Sequence, residues 1–372
     1  DLQDTSGYGI YARQYDAAGT AGSEFRVNNS TASDQTSPSI AALSDGGYVV
    51  AWTSLNQDGD GYGIYARQFN SAGAPGSEIP VNTTTAGDQL HPSVAGLTSG
   101  GYVVTWNSPD ASGGGLYGQV FDFTGAKVGL QFAVNQTTAG SQTQSSVASV
   151  PDGGFLAVWT SDGQDGSSNG LYGQRFGSTG TPIGSEFLVN QTTAGDQSGA
   201  YLPDSVAVLT SGVLVVTWQG DPSVSGSEVY ARHLSIPGYG GEDTVIGLPA
   251  ITAALGADLD GSETLALVLS GFPAGTTFSK GALAATGPEA GNWVISNATD
   301  IDSLAGTPLT MTPPADFAGE ATFTVRAVAT DTALLTTGTE TSSTFAQTQI
   351  TVTVIGANDA PVIANVPSLF AD

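Results

Sequence analysis

The chain has no cysteine and only 8 basic residues among its 372. Without cysteine, disulfides, thiolate metal sites and thiol catalysis are excluded together. The two histidines, His91 and His233, stand far apart in sequence and outside any transition-metal spacing. Against 8 Lys and Arg there are 34 Asp and Glu, a formal net charge of −26. A chain this acidic repels phosphate backbones and anionic lipid, so nucleic acid is not an expected partner and cations are. Long apolar runs are also missing. Val213-Leu214-Val215-Val216 is typical of the longest, far short of the roughly 20 residues that cross a bilayer, so no membrane insertion is expected. No basic segment followed by an apolar one opens the chain, and its first residues fall in the middle of a repeat, as in a piece of something longer.

What the chain does contain is repetition. Tyr11, Tyr65, Tyr117, Tyr172 and Tyr230 recur about every 54 residues, and Trp52, Trp106, Trp159 and Trp218 keep the same step. Each period carries an apolar strand such as 39–43, a turn such as Asp45-Gly46-Gly47, and a second strand such as 48–52 ending on Trp. A Gly/Asp/Ser loop follows, then a strand such as 62–69, a Gly-containing turn, and a fourth strand such as 77–81. Asp-Gly and Ser-Gly-Gly at the junctions supply the positive φ that tight hairpins require. Four short antiparallel strands per period is the content of a propeller blade, and no window sustains a helical period. The expected fold is all-β: a β-propeller-like domain of ~54-residue four-stranded repeats over residues 1–236, a linker at 237–243, an Ig/cadherin-like β-sandwich at 244–357, and at 358–372 a linker or the start of a following domain.

Two recurrent polar patterns need a reading. Val27-Asn28, Val81-Asn82, Val134-Asn135 and Val189-Asn190 are followed by Thr-Ala-Gly-Asp-Gln or a variant, ending on Gln35, Gln89, Gln142 and Gln197. This reads as a capped turn, although Asn-x-Thr also matches a glycosylation acceptor. Tyr11/Arg13, Tyr65/Arg67, Tyr117/Gln119, Tyr172/Gln174 and Tyr230/Arg232 place an aromatic and a polar group on one strand face, either as packing or as a platform for a sugar.

The residues support one cofactor, calcium. Asn56, Asp58 and Asp60 set oxygen side chains at alternate positions of a Gly-rich loop, the spacing that curls a chain around a hard cation. Asp258, Asp260 and Glu263 crowd three carboxylates into six residues, which repel unless a cation lies between them. Glu242 and Asp243 at one edge of the sandwich, and Asn358 and Asp359 at the other, complete the candidate metal set. Catalysis finds little support: there is no nucleophile elbow, no His–Ser–Asp order, and His91 precedes Pro92 at an expected turn. The chain is therefore expected not to be an enzyme. Paired carboxylates such as Asp204 and Glu228 are of the type a glycosidase uses, yet neither lies in a motif.

The second half carries a resemblance. Glu242-Asp243-Thr244, Asp258-Leu259-Asp260-Gly261-Ser262-Glu263, Ala315-Asp316-Phe317-Ala318-Gly319 and Asn358-Asp359-Ala360-Pro361-Val362 resemble the cadherin-like tandem repeats of large bacterial RTX adhesins. The N-terminal Asp-Gly-Gly-Tyr-Val-Val-Ala-Trp and Gly-Ser-Glu-Phe patterns look like blade repeats of secreted RTX-type proteins. The resemblance implies a secreted, cell-surface protein, rod domains braced by calcium, neighbouring repeat domains in a longer chain, and attachment through a surface glycan or protein ligand. The alternatives are an extracellular polysaccharide-active propeller enzyme with an accessory sandwich, and a structural subunit of a surface layer or filament.

Overall fold

The computed structural model describes residues 6–111, 113–198, 205–209, 213–220, 228–235, 238–242, 244–249, 251, 253, 263–304, 307–335 and 338–355. The chain divides into two units between Leu234 and Ser235. The first is propeller-like. A hairpin of β1 (Tyr11–Tyr15) and β2 (Ala21–Arg26) precedes three four-stranded antiparallel blades. These are β3 (Gln35–Ala42), β4 (Tyr48–Leu55), β5 (Tyr62–Phe69) and β6 (Pro75–Pro80); then β7 (Leu90–Gly96), β8 (Tyr102–Ser108), β9 (Gly115–Phe121) and β10 (Lys127–Ala133); then β11 (Gln142–Ser149), β12 (Phe155–Asp162), β13 (Asn169–Phe176) and β14 (Pro182–Leu188). A three-stranded sheet of β15 (Val206–Val208), β16 (Val213–Gly220) and β17 (Glu228–Ser235) follows.

Each blade is held by its neighbours. The second strand is apolar on both faces because blades cover it from both sides: Val49, Val50, Ala51 and Trp52 of β4 are all buried. Val50 and Trp52 pack with Ile10 and Val27 of the preceding hairpin, while Val49 and Ala51 pack with Tyr102, Val104 and Trp106 of the next blade. The pattern repeats one blade on, where Trp159 and Tyr172 meet Leu116 and Val134. The first strands run side by side, β3 against β7, β7 against β11 and β11 against β15, which makes them the innermost strands. A serine ladder ties them: Ser39 Oγ accepts the Val94 N–H, Ser93 Oγ that of Val147 and Ser146 Oγ that of Ser205, each at 3.1 Å.

The turns follow from their side chains. Asp45 and Asp152 accept the N–H of Gly47 and Gly154 two residues on. At the other hairpin Asp16 Oδ1 takes the N–H of Ala18 and Thr20, Asn70 Oδ1 those of Ala72 and Ala74, and Asp122 Oδ1 those of Thr124 and Ala126. The Thr124 hydroxyl and these N–H groups hold the Asp122 carboxyl below its ordinary range. A carboxylate depressed in the folded state stabilises it above the unfolded pKa, about 4, and that contribution is lost as pH falls through the folded value. Asp122→Asn keeps the acceptor that Asn70 already supplies one repeat earlier. The variant is expected to match the parent's melting temperature at pH 7 and to lose less of it between pH 5 and pH 3, as followed by thermal denaturation.

The second unit is a two-sheet sandwich. One sheet has the order β18 (Tyr239–Gly241), β26 (Gly338–Ile355), β25 (Gly319–Leu335), β20 (Thr264–Ser270), β23 (Trp293–Ile295) and β22 (Ala282–Leu283); the other joins β19 (Ile246–Gly247), β24 (Thr310–Thr312) and β21 (Thr277–Phe278). Ile246, Phe278 and Met311 of the small sheet meet Leu267, Leu269, Phe323 and Val352 of the large one in a single core. A one-turn-and-a-half helix, α1 (Ala298–Ser303), is capped by the Asn297 side chain accepting the Thr299 N–H. One feature departs from the sequence reading. The stretch read as a linker contains β18, whose Tyr239 is buried and which pairs in parallel with β26. The Thr/Ser-rich segment around 329–348, with no apolar alternation to mark it, continues the β25–β26 hairpin to Leu335 and Gly338.

Candidate functional site

The recurrent Asn and Gln side chains of the turn after each fourth strand are consumed by the fold. The Asn side chain after each fourth strand reaches back to the third strand: Asn28, Asn82, Asn135 and Asn190 accept the N–H of Ile10, Ile64, Leu116 and Leu171 at 2.7–2.8 Å. Their Nδ2 groups donate to Gln35, Gln89, Gln142 and Gln197 and to the carbonyl two residues on. The glutamines in turn donate to the carbonyls of Ala32, Ala86, Ala139 and Ala194. The motif is a buried capped turn. The four asparagines are 1–6% exposed and closed to glycosylation, since the nitrogen that would carry the sugar is already donating inside the protein.

The Tyr-x-Arg and Tyr-x-Gln pairs are equally occupied. Third and fourth strands are joined across a bulge. Arg13 Nε donates to Gly22 O and Arg67 Nε to Gly76 O, while Gln119 and Gln174 donate to Val128 O and Ile183 O. The polar partner thus saturates carbonyls the bulge leaves unpaired, a structural role for each pair. The Gly-Ser-Glu position links blades: Glu78 accepts the Asn29 N–H, Gln131 that of Thr83 and Glu186 that of Thr137.

The proposed cation ligands do not converge among the described residues. Asp58 Oδ2 accepts Asn82 Nδ2 at 3.2 Å, Asp58 Oδ1 faces the Asp60 N–H at 3.4 Å, and Asp60 Oδ2 accepts the Gly87 N–H at 3.2 Å. These carboxylates brace neighbouring loops, with Asn56 in the left-handed region at φ +59°. No group of three acidic or histidine side chains placed to hold a metal occurs among the described residues. Glu242 is buried and Glu263 half-buried just before β20. Asp243, Asp258, Asp260, Asn358 and Asp359 lie outside the described residues.

The innermost strands hold the feature the sequence did not reveal. β3, β7 and β11 each shift register against the following strand, between Thr36 and Ser39, Leu90 and Ser93, and Thr143 and Ser146. Inside each shift lies a non-glycine residue at positive φ: Ser37 at +52°, His91 at +53° and Gln144 at +57°. Such residues cost about 1–3 kcal/mol each and persist only where surroundings impose them; in two cases a proline follows, which disfavours compact conformations further. His91 therefore sits in a bulge within β7, where the sequence suggested a turn. Ser37 and His91 are exposed and Gln144 is half-buried, so adjacent innermost strands present a hydroxyl, an imidazole and a carboxamide at one repeat position. The X-Pro steps were the only sequence signal. His233 is exposed on β17.

The fourth repeat departs from the others in its acids. Glu228 stands where the earlier repeats have Gly63, Gly115 and Gly170, each so close to Asp58, Asp110 or Asp165 that a Cβ would lie 2.4–2.9 Å from the carboxylate. Glu228 accepts the Tyr230 hydroxyl at 2.8 Å. That hydrogen bond and the carboxylate's charge raise the phenol's pKa. Tyr230 stacks on Trp218 with centroids 5.9 Å apart. Asp204 lies outside the described residues.

No family model matches the chain, and no curated protein matches it. Solved structures that align include an endo-arabinase from Bacteroides thetaiotaomicron VPI-5482, at 15% identity over 54% of this chain and 74% of that one, TM-score 0.35. A thermostable family-43 glycoside hydrolase aligns at 12% identity over 56% and 74%, TM-score 0.38. A protein of unknown function from Dyadobacter fermentans DSM 18053 aligns at 10% identity over 86% and 94%, TM-score 0.36. These findings correct the sequence reading: the matched structures with a described activity are glycoside hydrolases, not RTX adhesins. The adhesin resemblance, the attachment function, the calcium-binding description and the non-enzyme assignment fall with it. At this identity and TM-score the likeness assigns neither activity nor substrate.

Proposed function

We propose that the propeller-like unit acts on a neutral polysaccharide, gripped along the row of Ser37, His91 and Gln144 on the innermost strands. The row carries the reading because Ser37 and His91, exposed, and Gln144, half-buried, recur at one repeat position on the innermost strands, each held at positive φ. Hydroxyl, imidazole and carboxamide groups donate to and accept from sugar hydroxyls. The net charge of −26 disfavours anionic polymers and leaves neutral ones. Hydrolysis requires a pair of carboxylates, and the proposed pair is Glu228, which replaces a recurrent glycine, and Asp204, which follows in sequence register the position of Ser37, His91 and Gln144. Several of the matched structures are glycoside hydrolases; the reading rests on the row.

The test is release of reducing ends by the full chain from arabinan, neutral xylan and galactan, beside retardation of the chain in gels containing the same polymers. The expected outcome is turnover of at least one polymer that falls by 10²-fold or more in Asp204→Asn or Glu228→Gln, with retardation kept. His91→Ala is expected to weaken retardation. No turnover and no retardation with any of the three polymers overturns the proposal.

A further inference from the structure

Both ends of the blade series are incomplete among the described residues. β15, β16 and β17 lack an outer strand, and β1 with β2 supply only a third and a fourth strand. At the first end Val229, in the register of Ile10, Ile64, Leu116 and Leu171, is 79% exposed where those four are 6% or less. A cavity of about 490 Å³ opens beside it between Asn190, Thr192, Trp218 and Tyr230. At the second end Ile40 on β3 is 61% exposed, although Val94 and Val147 at the same register are buried by the preceding first strand. A groove of about 790 Å³ runs there past Ala12, Ile40, Ala41 and Tyr48.

We propose that the two vacancies fill each other: β17 replaces β1 as the neighbour of β2, so that β15-β16-β17-β2 forms one four-stranded blade and the series closes as a ring of four. β17 offers β2 nearly the same surface that β1 does, Val229-Tyr230-Ala231-Arg232 against Ile10-Tyr11-Ala12-Arg13. The register Tyr11↔Arg26 and Arg13↔Glu24 transfers to Tyr230 and Arg232. β2 is already held as the outer strand of a blade preceding β3–β6: Phe25 packs on Phe69 at 5.7 Å, Arg67 Nη1 donates to Val27 O at 2.8 Å, and the Asn29 N–H donates to Glu78 at 2.5 Å. Arg232 Nη1 donates to Val189 O, so β17 is already placed as a third strand against the preceding blade.

Closure also completes the recurrent contacts. Glu24 occupies the position from which Glu78 and Glu186 accept the N–H groups of the preceding loop, and the matching loop residues after β14, Gln191 and Thr192, are exposed. Asn28 is the asparagine that would cover the Val229 N–H, as it now covers that of Ile10. Exchanging one Tyr-Ala-Arg strand for another, with Val229 taking the buried place that Ile10 leaves, costs little at the β2 edge, while burying Ile40 favours the closed ring.

The chain's lack of cysteine permits a direct test by cross-linking. Opposed residues of an antiparallel pair lie within disulfide reach. The full chain is prepared as Arg26→Cys with Tyr230→Cys and as Arg26→Cys with Tyr11→Cys, oxidised, and read by non-reducing electrophoresis and intact mass. The expected result is an intrachain cross-link in most of the Tyr230 pair and little in the Tyr11 pair. Cross-linking confined to the Tyr11 pair, failure of both pairs, or a Tyr230 cross-link found only between chains overturns the proposal, the last assigning the strand to a second copy. Ala12→Pro, which removes β1 from any ladder, gives an independent reading. Its melting temperature is expected to equal the parent's, and a fall of several degrees makes β1 the resident strand and overturns closure.

Discussion

Asn82→Ala is expected to lower the unfolding free energy of the blade unit by about 3–4 kcal/mol. The side chain serves four groups at once. Its Oδ1 accepts the buried Ile64 N–H at 2.8 Å, and its Nδ2 donates to Gln89 Oε1 at 2.9 Å, Thr84 O at 3.0 Å and Asp58 Oδ2 at 3.2 Å. Alanine leaves the Ile64 donor and the Gln89 acceptor in the interior without partners, and each such loss costs about 1–3 kcal/mol. Asn82→Asp separates shape from chemistry. It keeps the acceptor for Ile64 but turns an oxygen toward two carbonyl-type oxygens and the Asp58 carboxylate, so it is expected to be at least as destabilising as alanine at pH 7. Urea denaturation followed by tryptophan fluorescence reads the effect, since Trp52, Trp106 and Trp159 are all buried between blades. A loss below about 1 kcal/mol for both variants would mean that water replaces the side chain and that the turn is not sealed.

Gly154→Ala is expected to cost about 3 kcal/mol, although its backbone is open to any residue. A Cβ built there lies 2.2 Å from the carbonyl oxygen of Phe176, and the same approach recurs at Gly47, 2.3 Å from Phe69 O, and Gly101, 2.1 Å from Phe121 O. The obstacle is backbone in a paired strand, so it cannot rotate away, and overpacking of this kind costs about 1–3 kcal/mol or more. The comparison is Gly166→Ala, where φ is +87° and nothing lies within 4 Å. That substitution is charged only for left-handed backbone, about 1–2 kcal/mol. If the two variants unfold at the same urea concentration, strand separation within the blade relaxes more readily than the packing of Phe155 on Phe176, 4.9 Å between centroids, implies.

The all-β, propeller-like architecture was legible because its determinants are local and repeated. The Trp, Tyr and Asp-Gly-Gly positions recur with one period, each carries its own conformational preference, and a hairpin needs only neighbours in sequence to form. The Val-Asn and Gln motif was legible as a turn for the same reason. Tertiary contact decided what each motif does. Nothing in Gly-Ser-Glu predicts that Glu78 accepts a backbone N–H 49 residues earlier, and Tyr-x-Arg looks alike as a packed strand and as a ligand platform until the bulge shows its guanidinium already used.

The hydrogen bonds of Asp58 and Asp60 were illegible on the same ground. Spacing along a loop describes what a chain is able to wrap, whereas the folded loop spends those oxygens on Asn82 and Gly87. The row of Ser37, His91 and Gln144 was nearly illegible from the opposite direction, because a left-handed non-glycine residue is imposed by packed neighbours and leaves no trace in the sequence beyond the X-Pro steps at Ser37 and His91.

The sequence by itself determined the strands, the turns, the period and the sign of the charge, all of which depend on residues close together in the chain. Only the tertiary structure decided which polar groups are free, because that depends on the N–H or carbonyl, often tens of residues away, that each side chain meets when the blades stack.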